Sequence, residues 1–163
     1  MGASRGQAPG FRKNIMLHQE ALNVPVLVLI GYAAWTLLTL FATIGLYRWC
    51  QILTGRASIG EWRADVVQGC DWYRRAMRAH MNCIENLPVY TAIVVAVTAT
   101  GLRSVAIDRL AVALLAGRIA QTVVHVALPA TESAAAMRFA FFFLQIACMI
   151  AMGKIVAMAA LAS

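Results

Sequence analysis

Charged residues are scarce in this sequence. Of 163 residues only 13% are charged, and just seven are Asp or Glu, whereas a soluble domain carries roughly 25%. There is too little polar side chain here to cover a water-facing surface, and with 61% hydrophobic residues the chain is expected to reside in a membrane. Histidine is also rare. Three histidines and four cysteines occur without C-x-x-C spacing or paired histidines, so no metal site is expected. Cys83 and Cys148 fall within expected helices, and Cys50 and Cys70 on the expected cytoplasmic side, which argues against disulfides. Positive charge is the one imbalance, a net +7. Its arginines flank apolar runs, where they set topology, so no nucleic-acid partner is expected.

What the chain does contain is four apolar runs, at about 24–48, 72–100, 105–128 and 135–160. Each is long enough to cross a bilayer at 1.5 Å per residue. The first run exceeds the 7–15 residues of a signal-peptide core and has no small-residue cleavage site, so it reads as a retained span. Residues 1–20 are polar and read as a loosely ordered tail ahead of one membrane domain, 21–163. Tyr47 and Trp49 are interfacial anchors at the end of the first span, and Cys50 to Trp72 forms the longest loop. Pro88 is expected to kink the second helix, Gly101 to close it, and Pro129 to end the third. The expected fold is all-α, an integral membrane four-helix bundle running up-down-up-down. Lysine and arginine near the span ends place the long loop in the cytoplasm and the termini on the opposite side.

Polar residues within the spans are few and share faces. Arg78, Asn82 and Glu85 stand at i, i+4 and i+7, and Arg118, Gln121 and His125 at i, i+3 and i+7, so each trio projects from one side of its helix. Arg118 lies about 15 Å inside the third span. Arg48 closes the first span and Arg138 opens the fourth, at the same end of the bundle. Ionisable groups at membrane depth mark functional sites by default. This set is rich in arginine and poor in carboxylate, which suits a small zwitterion with extra carboxylates: arginine forks hold carboxylates, and Glu85 can receive an ammonium. Simpler readings stand beside this one. Arg74 and Arg75 are ordinary interfacial anchors, Arg78 and Glu85 an internal salt bridge, His125 a packing histidine, and the phenylalanines after Arg138 lipid-facing. Cys83, flanked by arginines, is a candidate reactive thiolate.

The stretch R-x-x-R-A-H-x-N-x-x-E, formed by Arg75, Arg78, Ala79, His80, Asn82 and Glu85, resembles the MAPEG superfamily, the membrane-associated proteins of eicosanoid and glutathione metabolism. R-x-x-x-T-V-x-[YH], at Arg118, Thr122, Val123 and His125, and the arginine opening the fourth helix, Arg138, extend the likeness. It covers nearly the whole chain from about Pro25. The resemblance implies a homotrimer with glutathione between neighbouring subunits on the cytoplasmic side. It assigns glutathione contacts to Arg78, Asn82 and Glu85, with Arg48 and His80 nearby, Gln121 and His125 where tyrosines are frequent, and Arg118 in support. Arg138 becomes the thiol activator. The implied activity is a glutathione transferase or peroxidase acting on hydrophobic electrophiles or lipid hydroperoxides. Arg74 stands where the family commonly has an acidic residue, and Asn86 where the eicosanoid enzymes carry an aromatic contact. The alternatives are a MAPEG-like membrane scaffold or lipid-binding protein without catalysis, and a small exporter of cations using Glu85.

Overall fold

The computed structural model describes residues 23–62 and 69–162; the expected tail, 1–20, lies outside them. Four long helices make up the chain: α1 (Val24–Leu53), α2 (Asp71–Ala99), α3 (Val105–Ala127) and α4 (Glu132–Leu161), each long and apolar enough to cross a membrane. Among the described residues there is no strand.

Helix ends follow local chemistry. α1 runs past Trp49 because the stop signal is Gly55, at φ +69°. There the Gly55 N–H donates to the Ile52 carbonyl and the Arg56 N–H to that of Gln51, a left-handed cap that glycine adopts without strain. Gly101, at φ +63°, caps α2 in the same way, with bonds from Gly101 to Thr98 and from Leu102 to Val97. α4 begins at Glu132, earlier than its apolar run, because the Thr131 hydroxyl accepts the Ala134 N–H at 3.3 Å. α2 continues unbroken through Pro88. Inside α1, Leu40–Gly45 widens into a π-helical turn.

Small residues let the helices approach closely, as packing inside a membrane requires. Ala76, Ala79 and Ala111 are buried, and a Cβ on Gly117 of α3 would meet Leu144 of α4 at 3.3 Å. α3 and α4 share the largest interface. The core holds two tyrosines whose hydroxyls are satisfied across helices: Tyr32 donates to the Cys83 carbonyl at 3.3 Å and Tyr90 to the Pro25 carbonyl at 3.0 Å.

At the bundle end carrying the long loop, Tyr47, Trp62 and Tyr73 form an aromatic cluster, with Tyr47 stacked on Tyr73 at 4.5 Å between ring centroids. Gly69, at φ +112°, lies against it, and a Cβ there would come within 2.8 Å of the Tyr73 ring. Gly69→Ala therefore combines backbone strain with a clash against a packed ring, an expected loss of about 1–3 kcal/mol. Gly55→Ala meets no neighbour and should cost less. Thermal unfolding in detergent compares the two, and equal shifts would show that the ring contact contributes nothing.

Candidate functional site

α2 and α4 begin, and α3 ends, on the side of the bundle that carries the long loop. Between them lies an open cavity of about 790 Å³. α2 supplies Arg75, Arg78, Asn82 and Glu85, a stripe spaced at three and four residues; α3 supplies Gln121 and His125, and α4 supplies Arg138, Phe139 and Phe142. Six of the sequence-nominated residues thus share one space: Arg78, Asn82, Glu85, Gln121, His125 and Arg138. The Asn82 amide donates to His125 Nε2 at 3.3 Å, which joins α2 to α3 across the floor. The assigned amide leaves Asn82 Oδ1 as a free acceptor.

Three nominated residues stand elsewhere. Arg48 donates from Nε to the Tyr73 hydroxyl at 2.7 Å, and its guanidinium lies 5.4 Å from the Trp62 ring centroid. It belongs to the aromatic cluster. His80 is two residues beyond Arg78 and so turned by about 200° around α2. It is buried against the main chain of Thr36 on α1, and its Nδ1 has no hydrogen-bond partner. Arg118 is only 1% exposed and sits behind the cavity wall, with its guanidinium 5.6 Å from the Tyr32 ring centroid.

A polar network runs from Arg118 to the cavity. Arg118 Nη1 donates to Gln121 Oε1 at 3.0 Å, and Gln145 Nε2 donates to the same oxygen at 3.0 Å. Gln121 Nε2 in turn donates to the main-chain carbonyl of Arg138 at 3.2 Å. Gln145 was not among the nominated residues. Its signal was present all the same, as a lone amide in the otherwise apolar stretch between Arg138 and Lys154, where a polar group needs an inward-facing reason.

Charge in the cavity is uneven. Arg74 is ion-paired with Asp71. Arg78, Glu85 and Arg138 have no ion-pair or side-chain hydrogen-bond partner among the described residues, so the internal Arg78–Glu85 salt bridge does not form. Once Arg74 and Asp71 are set against each other, Arg75, Arg78 and Arg138 face Glu85 alone. Among the described residues, the recess is rich in guanidinium groups and has a single free carboxylate, a charge pattern complementary to several carboxylates and one cationic group. The two phenylalanines beside Arg138 give the same recess an apolar side.

All four cysteines are unpaired, Cys50 and Cys70 exposed, Cys83 and Cys148 buried. Among the described residues no group of His, Cys, Asp and Glu is placed to hold a metal ion.

In comparisons with known proteins, the model of the MAPEG family matches residues 25–158. No curated protein and no solved structure matches the chain.

Proposed function

The chain belongs to the MAPEG family, whose members are membrane proteins of eicosanoid and glutathione metabolism, and from that premise we propose that it is a glutathione-dependent transferase or peroxidase. One observation supports this most: among the described residues, three unpaired arginines and one unpaired carboxylate line the cavity. Glutathione with its thiol ionised carries three negative groups, two carboxylates and the thiolate, and one ammonium. The counts match group for group.

In this reading Arg75 and Arg78 hold the carboxylates, Glu85 and the free oxygen of Asn82 receive the ammonium, and Arg138 faces the sulfur. A thiol of pKa about 8.5 is mostly protonated at neutral pH, and the thiolate is the nucleophile. A guanidinium near sulfur in a low-dielectric site favours the anion. Attack on an electrophilic carbon forms a thioether and expels the leaving group. With a hydroperoxide, attack at the terminal oxygen releases the alcohol; a second glutathione then closes the disulfide and water leaves. Phe139 and Phe142 give the hydrophobic partner a surface next to Arg138. Arg48 and His80, engaged with other side chains and with α1, act as supports of α2. The assembly that belongs to this reading is a homotrimer in the membrane.

The decisive experiment is glutathione binding to detergent-purified protein, followed by turnover with a hydrophobic electrophile and with a lipid hydroperoxide. Binding with Kd at or below about 1 mM is expected, in the range of ordinary enzyme substrates. No binding well above that concentration overturns the proposal; tight binding without turnover of either substrate makes the protein a non-catalytic glutathione-binding membrane scaffold. The proposed orientation puts this end of the bundle in the cytoplasm. A membrane-impermeant maleimide should then label Cys50 and Cys70 in inverted vesicles and not in sealed spheroplasts, and the reverse pattern inverts the topology.

A further inference from the structure

A buried cation without a carboxylate needs an explanation. Arg118 is 1% exposed, and its Nε and Nη2 have no hydrogen-bond partner among the described residues. Removing a guanidinium from water is expensive, and an apolar side chain of similar length would pack there at lower cost. Fold stability alone therefore does not account for arginine at this position. Its guanidinium lies over the Tyr32 ring at 5.6 Å, and its Nη1 donates to Gln121 Oε1.

We propose that Arg118 and Gln145 are positioning residues for Arg138: through Gln121 they fix where the second turn of α4, and with it the Arg138 side chain, stands at the cavity wall. The inference rests on the thiol chemistry proposed for Arg138.

The geometry allows one orientation of each amide. Both hydrogens of the Gln145 amide nitrogen are engaged, one with the Phe141 carbonyl at 2.7 Å in its own helix and one with Gln121 Oε1. Turning that amide over would set oxygen against two acceptors. Gln121 Oε1 already receives donors from both Arg118 and Gln145, which leaves its nitrogen to face the Arg138 carbonyl. Turned over, it would set nitrogen against two donors and oxygen against a carbonyl. Water does not reach these atoms to compensate, since Arg118, Gln121 and Gln145 are 1%, 3% and 1% exposed, and an unmade bond there costs its full desolvation penalty. A charged donor strengthens the chain at its origin. Gly117 lets α3 lie close to α4 beside this network: a Cβ there would be 3.3 Å from the Leu144 side chain and in ordinary contact with Gln145 at 3.5 Å. The donors thus run in one direction, from the interior of α3 to the backbone of the residue that faces the cavity.

The test uses full-length protein in detergent, with Gln145→Met and Gln145→Leu beside wild type. Both substitutions remove the donor to Gln121 Oε1 without adding a charge or a new donor; the second offers a different apolar shape if the first does not fold. Bound glutathione thiolate is titrated by its ultraviolet absorbance, and S-methylglutathione, which has no thiol, reports binding alone. The expected result is a rise of about one unit in thiol pKa, and so a roughly threefold lower thiolate fraction at neutral pH, with S-methylglutathione affinity changed less than about 1.5-fold and kcat lowered without a matching rise in KM. Amide hydrogen exchange over residues 138–142, measured without ligand, should be faster in both variants. Unchanged exchange overturns the tether, whatever the thiol does. Faster exchange with an unchanged thiolate fraction overturns the positioning role and leaves a structural one. If wild type forms no thiolate, the thiol chemistry and the positioning role fall together, and exchange still decides whether the tether exists.

Discussion

Arg138→Ala is expected to bind glutathione nearly as well as wild type and to hold it as the thiol. Arg138 lines the cavity, half-buried and without a side-chain partner among the described residues, so its charge is available to whatever occupies the space. A charge-assisted hydrogen bond contributes about 1.5–3 kcal/mol, and 1.36 kcal/mol is one pKa unit. The guanidinium can therefore lower a thiol near pKa 8.5 by about two units, which decides whether a few per cent or most of the bound glutathione is ionised at neutral pH. Its removal should reduce thiolate and turnover at pH 7 by about 25-fold. The sign of the pH dependence follows. In the variant the thiol returns to its ordinary pKa, so the deficit should shrink as pH rises through about 8.5. Arg138→Lys should recover part of the effect, since lysine keeps the charge but not the fork. A loss of the same size at every pH would mean that Arg138 serves binding or packing and not ionisation of sulfur.

The cavity stripe was legible because a helix has a fixed period. Arg78, Asn82 and Glu85 recur at four and three residues and share a face in any straight helix, and the structure puts all three on the cavity. The same period separates His80 from them. It sits in the middle of the motif but two residues from Arg78, so proximity in sequence implied a shared surface that the helix turn forbids. Arg48 is a different case. Charge and position at a span end group it with the other arginines, and what draws it away is a set of rings contributed by α1, the loop and α2. No period within one helix reveals a contact made by three segments.

Helix ends were misplaced where apolar content and capping disagree. The apolar run of α1 ends near Trp49, but its cap is Gly55, and the polar residues between them continue the helix. At α4 the hydroxyl of Thr131 starts the helix before the apolar run begins. Hydropathy locates what the membrane requires, and capping locates where the backbone turns. Arg118 and Gln145 show a further limit. Each is visible alone as a polar residue at depth, yet their partnership through Gln121 depends on the register of α3 against α4. That register brings Gly117 against Leu144 and Gln145, a contact between helices that one helix's sequence does not encode.

The second large effect concerns binding. Arg78→Ala should weaken S-methylglutathione binding by about 10–100-fold, while Arg74→Ala should change it by less than about threefold. Both arginines lie on α2 along the same cavity and carry the same charge, so a diffuse positive field would make them equivalent. They differ in commitment. Arg74 is bonded to Asp71, and with side chains 57% and 76% exposed that pair is solvent-screened and worth about 0–1 kcal/mol. Arg78 lies within a few turns of Glu85 and opposite His125 and Arg138, with no partner of its own among the described residues. A carboxylate held there gains a bond of about 1.5–3 kcal/mol, which converts to the stated loss at 1.4 kcal/mol per tenfold. Calorimetry at two salt concentrations separates the cases further. Both arginines are exposed in the open cavity, so salt weakens both contributions, but a bond from Arg78 to one carboxylate should leave a difference between the two variants at high salt. Equal losses at both positions, fading together with salt, would mean that the cavity attracts anions without a defined carboxylate site. The group-for-group match between arginines and glutathione would then lose its meaning.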